Sequence, residues 1–221
     1  TGGGSGTGNA GLLNGATDIA QSSRPMKDQE RSDFKNKFGR DVVEIKVALD
    51  GLAVYVNQDN PIKEISVPQL RDLYTARVSD WKEIGGTPGK VILYGRENNS
   101  GTYEYFKEHI LEKQDFAANT QTLSGTAAVI NAVSKDKAGI GYGGIGYATG
   151  VKILPVKKDA NSAAVAPTEQ NVDNGTYPIS RNLYFYLPGE PTGEVKRFVD
   201  WVLSPAGQEI VKEEKYFPVK K

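Results

Sequence analysis

The residues best suited to chemistry lie between Tyr94 and Phe106, in YGRENNSGTYEYF. Arg96 offers a planar guanidinium fork that matches two oxygens of a tetrahedral anion. Ser100 and Thr102 offer hydroxyls, and Gly101 between them lets backbone approach closely. The Ser-Gly-Thr string reads as a helix start, where unpaired N–H groups and the helix dipole favour negative charge. The same residues also fit a plain helix cap beside a surface arginine. Spacing alone leaves both readings open.

Two further segments repeat the theme. Ser5 sits in TGGGSGTG, a glycine tract that feeds an expected short helix over Asn9–Ala16, followed by a short buried strand at Asp18-Ile19-Ala20. Such a tract is either a flexible linker or the loop of a strand–loop–helix unit. Ser23, in Ser22-Ser23-Arg24, is a third candidate, and it also fits as the cap of a helix over Pro25–Asn36. Ser124-Gly125-Thr126 repeats the Ser-Gly-Thr string, but no arginine stands four residues earlier, so it reads as a cap.

Other chemistries lose their residues. Gly6, Gly8 and Gly11 match GxGxxG, as do Gly139, Gly141 and Gly144. The first set has no visible strand ahead of it, and the second is followed by Tyr147-Ala148-Thr149-Gly150 rather than a helix, so neither reads as a dinucleotide site. The sequence contains neither GxxxxGK[ST] nor GxSxG. Cysteine is absent, and His109 is the single histidine. That set excludes zinc ribbons and thiol nucleophiles and disfavours His-rich metal sites and a Ser-His-Asp triad, and no catalytic residue, metal or cofactor is expected. Lys plus Arg is 27 and Asp plus Glu is 27, a formal balance of zero. Nucleic-acid binding and polybasic membrane binding both ask for a basic excess. No apolar run approaches a membrane span, and nothing reads as a signal peptide.

The elements that must position these residues follow from pattern. Val42–Val56 is a long strand interrupted by Asp50-Gly51, of a length that suits a crossing between two lobes. Ser66 is an N-cap with Pro68 just inside, opening a helix to about Tyr74. Val91–Tyr94 is a strand. Tyr103, Phe106 and Ile110 form a buried stripe on a helix over Ser100–Leu111. Thr126–Val133 is a helix, and Gly139–Tyr142, Val151–Val156 and Asn182–Leu187 are strands. Asn161–Gly175 is a polar loop, and Glu194–Lys212 is a helix broken near Ser204-Pro205. Tyr103, Phe106, Trp81, Trp201, Tyr184 and Phe185 are expected to pack in cores. Alternating strands and helices predict an α/β fold with largely parallel sheets.

Seven segments taken in order, GGGSGTG, DIAQSSRP, DGLAVYVNQDNP, Leu70–Gly86 with Trp81, GRENNSGTYEYF, AGIGYGGIGY and YPISRNLYFYLPGEPTG, carry a family resemblance. Together they resemble the phosphate-binding protein of the ABC-type phosphate importer, across essentially the whole chain. The resemblance implies a two-lobed α/β periplasmic-binding-protein fold of type II with two crossing strands. Lobe one would be residues 1–49 and 184–221, and lobe two residues 50–183. It implies inorganic phosphate as ligand, held by Ser5 and Ser23 of the first lobe and by Arg96, Ser100, Gly101 and Thr102 of the second. It also implies a membrane permease as partner, no nucleic acid, and a periplasmic or extracellular location, a lipid anchor on the precursor being one way of holding it there.

The sequence departs from the family in two places. The family begins with a strand, a phosphate-contacting turn, a helix and a second strand. None of these precedes Thr1: they lie on a separate chain, were cleaved, or the sequence is a fragment, and a companion segment completing lobe one is the expectation. Some members also place an aspartate two residues after the arginine, as acceptor for the phosphate proton. Asn98 stands there, which leaves Glu97 as the nearest carboxylate for that role. The competing functions are a binder of another oxyanion or small solute, and a phosphohydrolase built on the same cradle.

Overall fold

The computed structural model describes residues 3–219. In chain order the elements are α1 (Ser5–Leu13), β1 (Ala20–Ser22), α2 (Asp28–Phe38), β2 (Val43–Val56), β3 (Ile65–Ser66), α3 (Val67–Tyr74), β4 (Ile92–Arg96) and α4 (Gly101–His109). They continue as β5 (Gln121–Leu123), α5 (Thr126–Lys135), β6 (Gly139–Gly144), β7 (Lys152–Leu154), β8 (Val156–Lys157), α6 (Glu169–Asp173), β9 (Ser180–Leu187), α7 (Gly193–Val202) and α8 (Pro205–Glu213). The chain divides into two compact units. Unit 1 is Thr1–Asp50, Asn99–Gly101 and Arg181–Lys221, and unit 2 is Gly51–Asn98 and Thr102–Ser180.

In unit 1, β1 pairs antiparallel with β9, placing Ala20 opposite Tyr186 and Ser22 opposite Tyr184. The first half of β2 follows β9 in the strand order. One core cluster joins Leu12 of α1 and Phe34 of α2 to Ala20, Tyr184 and Tyr186. A second joins Val199 of α7 to Val47, Phe185 and Leu187. Alternation of side chains along a strand explains the two clusters, since Tyr184 and Tyr186 point opposite to Phe185 and Leu187. Asp50 on β2 and Arg181 on β9 form a buried ion pair, with Arg181 Nη2 2.9 Å from Asp50 Oδ2.

In unit 2, the second half of β2 pairs antiparallel with β6 on one edge and β7 on the other. β4 lies parallel to β6 and to β5. β3 and β8 form a separate parallel pair. Tyr74 of α3 sends its hydroxyl to the carbonyls of Tyr94 at 2.9 Å and Ile140 at 3.2 Å. This fixes β4 beside β6 two residues before Arg96. Phe106 of α4 stacks on Tyr142 of β6, ring centroids 3.9 Å apart, and so seats α4 on the same sheet.

Several expectations change. The sheets are mixed rather than largely parallel. Strands linked through a helix, β4–β5 and the β4–β6 pair, are parallel, as crossover connections require. The antiparallel pairs all involve β2 or β9, the strands through which the chain passes between units. α1 begins at Ser5 rather than Asn9. Gly6, Gly8 and Gly11 each cost a helix about 1 kcal/mol relative to Ala, which hid the first turn from a propensity argument. Burial of Ser5, Asn9 and Leu12 along one face compensates.

β1 starts at Ala20, two residues later than expected, because Thr17 Oγ1 donates to the Ile19 carbonyl and the turn runs on. A short helix, α6, lies inside the expected polar loop, with Thr168 as its N-cap. Ser66 caps α3 as expected: its hydroxyl accepts from Gln69 N while Gln69 Oε1 accepts from Ser66 N. Trp201 is 50% exposed rather than core, whereas Phe106, Trp81, Tyr184 and Phe185 are buried. Tyr103 is half-buried and stacks on Phe116.

Candidate oxyanion-binding site

Unit 1 brings Ser5, Ser23, Ser100 and Gly101 into one place. Gly4 precedes α1 with φ 81°, a left-handed conformation that glycine adopts without strain, and no side chain caps the helix. The N-terminal N–H groups of α1 therefore stand without a side-chain acceptor, as an anion would need. Ser5 is buried, and its hydroxyl accepts the backbone N–H of Ser23 at 3.0 Å. The two hydroxyl oxygens are 3.3 Å apart. Ser22 spends its own hydroxyl on the Arg24 carbonyl, so of the two serines Ser23 is the one turned to Ser5. Ser23 does not cap α2; that position belongs to Lys27.

The Asn99–Gly101 segment packs on this pair. Gly6 N donates to the Asn99 carbonyl at 3.1 Å, and Asn99 Nδ2 donates to the Gly3 carbonyl at 2.9 Å. A Cβ on Gly4 would lie 2.6 Å from the Asn99 carbonyl oxygen. A Cβ on Gly101 would lie 2.2 Å from Ser5 Oγ and 2.5 Å from Ser23 Oγ. The glycines of the N-terminal tract thus serve a close backbone contact. Ser100 is 1% exposed, so it is a buried hydroxyl at the mouth of α4.

Arg96, Glu97 and Thr102 lie in unit 2. Arg96 ends β4, and Thr102 is buried in the first turn of α4. The guanidinium of Arg96 is held from two sides. Nε donates to Glu97 Oε2 at 3.1 Å and Nη2 to Glu97 Oε1 at 3.4 Å, while Nη1 donates to Thr126 Oγ1 at 2.8 Å. A guanidinium has five N–H groups. Among the described residues these contacts leave one N–H on each Nη, which is the end-on fork suited to two oxygens of one anion.

Glu97, the carboxylate expected as acceptor for the phosphate proton, meets Arg96 through both of its oxygens. Its Oε2 also accepts Gly125 N at 3.3 Å, at the cap of α5. Burial works to raise its pKa, but the Arg96 hydrogen bonds and charge and the Gly125 N–H outweigh burial and hold it below the usual carboxylate range. Glu97 therefore stands as an ionised counter-charge that orients Arg96. Asn98 is exposed. Gly125 and Thr126, read from sequence as a plain cap, are the residues that the sequence argument missed. The repeated Ser-Gly-Thr string was the available signal, but the arginine served by Thr126 stands thirty residues earlier rather than four.

The hydroxyls and uncapped N–H groups of unit 1, and separately the arginine fork of unit 2, are each of a kind that suits an anion. Comparisons with known proteins agree. The sequence profile of the PBP superfamily domain matches residues 1–206. The phosphate-binding protein PstS of Pseudomonas aeruginosa is 39% identical over 233 residues, covering 98% of this chain and 72% of its own length. PstS of Staphylococcus epidermidis is 36% identical, and the alignment covers 93% of this chain and 65% of that relative, slightly under two thirds.

Among solved structures, a putative phosphate ABC transporter substrate-binding protein from Clostridium perfringens, determined with bound phosphate, superimposes with a TM-score of 0.88 at 30% identity, covering 98% of this chain and 85% of that one. An ABC-type phosphate transport receptor from Vibrio cholerae gives 0.78 at 26% identity, covering 98% and 86%. The fold is the α/β periplasmic-binding-protein fold of type II, and the chain belongs to the PstS phosphate-binding protein family of the PBP superfamily.

Proposed function

We propose that this chain captures inorganic phosphate outside the cytoplasm and delivers it to the permease of an ABC-type importer. It acts as a binding protein and not as an enzyme. The proposed ligands are Ser5, Ser23, Arg96, Ser100, Gly101 and Thr102. Glu97 serves this set by orienting Arg96. The observation that carries the reading is the Ser5–Ser23 pair set against the Ser100–Gly101 backbone at the start of α4, where two hydroxyls and helix N–H groups converge. Each of these groups is a neutral donor, and the positive charge in the set is the Arg96 fork, balanced by Glu97, which suits a partly protonated oxyanion. The relatives named above are phosphate-binding proteins of Gram-negative and Gram-positive bacteria, which supports the ligand and an exported location.

Titration calorimetry with inorganic phosphate tests the reading. Saturable binding that Arg96→Ala and Ser100→Ala both weaken is expected. Absence of binding by the parent chain, or unchanged affinity in both variants, contradicts it.

A further inference from the structure

The Ser5–Ser23 contact has a second rung one helical turn further along α1. Asn9 lies four residues after Ser5, on the same face of the helix, and both are buried. Ser23 is followed by Arg24, which is 4% exposed. The two second-rung residues do not touch the same backbone. Both reach the carboxylate of Glu30 on α2.

Arg24 gives Nη1 to Glu30 Oε2 and Nη2 to Glu30 Oε1, each at 2.7 Å. Asn9 Nδ2 donates to Oε2 at 3.1 Å, and Lys27 N donates to Oε2 at 2.8 Å. Arg24 Nη1 also donates to the Pro25 carbonyl at 2.8 Å, which fixes the turn around itself. One carboxylate thus ties α1, the turn after β1 and the start of α2.

We propose that Glu30 is a positioning residue of the anion site: through Arg24 and Asn9 its carboxylate holds the Ser23 turn against the Ser5 end of α1. This rests on the phosphate reading above. Capping α2 needs the Lys27 N–H contact alone. Apolar contacts of Leu12, Met26 and Phe34 already seat both helices on the sheet. The bidentate arginine and the Asn9 amide exceed both needs, and what they share is their place beside Ser23 and Ser5. Burial pushes the Glu30 carboxyl up, but its bonds to Arg24, Lys27 N and Asn9 outweigh that and keep it ionised.

The test is phosphate calorimetry on the parent chain, Glu30→Gln, Ser23→Ala, the Glu30→Gln/Ser23→Ala double variant and the Arg24→Gln/Glu30→Gln double variant, with melting curves taken without phosphate. Glu30→Gln leaves Arg24 buried without its counter-charge, so affinity is expected to fall about tenfold. Ser23→Ala should then add less than about twofold, because its hydroxyl is already displaced and coupled residues do not add. Neutralising both partners in Arg24→Gln/Glu30→Gln should recover part of the loss. A purely structural Glu30 would lower the melting temperature and leave these couplings absent.

Glu30→Gln binding within twofold of the parent, or the two losses multiplying in full, overturns the proposal. Should Glu30→Gln not fold, Arg24→Gln/Glu30→Gln combined with Ser23→Ala carries the same coupling test. A parent chain that does not bind phosphate overturns the function and the inference with it. A parent that binds while the couplings fail overturns the inference alone.

Discussion

The backbone N–H of Ser23 reaches the hydroxyl of Ser5 across eighteen residues, at 3.0 Å. That bond joins the turn after β1 to the first residue of α1. Gly101 closes over both hydroxyls with no room for a side chain.

Gly101→Ala therefore places a methyl inside the contact distance of two oxygens. Overpacking of this kind costs about 1–3 kcal/mol of stability. Phosphate affinity should fall as well, by about tenfold, or ~1.4 kcal/mol. Calorimetry beside a melting curve separates the two effects.

Arg96→Lys keeps the charge and loses the fork. It also breaks the paired contact with Glu97, so affinity should drop by about tenfold or more, the scale of one or two charged hydrogen bonds. Thr126→Val removes the acceptor of Arg96 Nη1 with little change of shape. A loss of about three- to tenfold is expected, since one hydrogen bond is worth roughly 0.5–1.5 kcal/mol. His109→Ala, at an exposed position, should bind as the parent does.

Acid should destabilise the protein in a defined window. Glu30 and Glu97 both titrate below their ordinary value of 4.5 in the folded chain. The folded state then binds fewer protons than the unfolded one. The stabilisation is complete above the unfolded value and is lost as pH falls through the folded one. Melting temperature should be flat in this respect from neutral pH down to about 5 and decline below it. Glu30→Gln should show a shallower acid decline than the parent; an identical slope counts against the assignment.

Exposure separates the aromatics. Phe106 is fully buried against Tyr74 and Tyr142, so Phe106→Ala should cost about 3–5 kcal/mol. Trp201 is half exposed, and Trp201→Ala should cost less than about 1.5 kcal/mol on the area it buries. Urea unfolding of the two variants measures the difference.

Features set by neighbours in sequence were legible, and features set by distant partners were not. Ser66 and Pro68 announced α3, the aromatic spacing announced α4, and the Ser204-Pro205 break separated α7 from α8. The family and fold class followed from seven ordered segments. The first turn of α1 stayed hidden because tertiary burial, not propensity, holds its glycines in a helix. Thr126 stayed hidden because its hydroxyl meets an arginine on another element. The grip of Arg96 on Glu97 is adjacent in sequence, yet its consequence depends on Gly125 N arriving from α5. The mixed sheet direction was not legible, because it follows from β2 and β9 passing between units.

The Ser5–Ser23 and Arg96–Thr102 groups are the proposed holders of inorganic phosphate. A calorimetric titration of the chain with inorganic phosphate, repeated on Arg96→Ala and with sulfate as competitor, tests this most directly. One phosphate per chain is expected, with binding strongly weakened in Arg96→Ala and phosphate preferred over sulfate. No binding by the parent chain, or sulfate binding as tightly as phosphate, would contradict it.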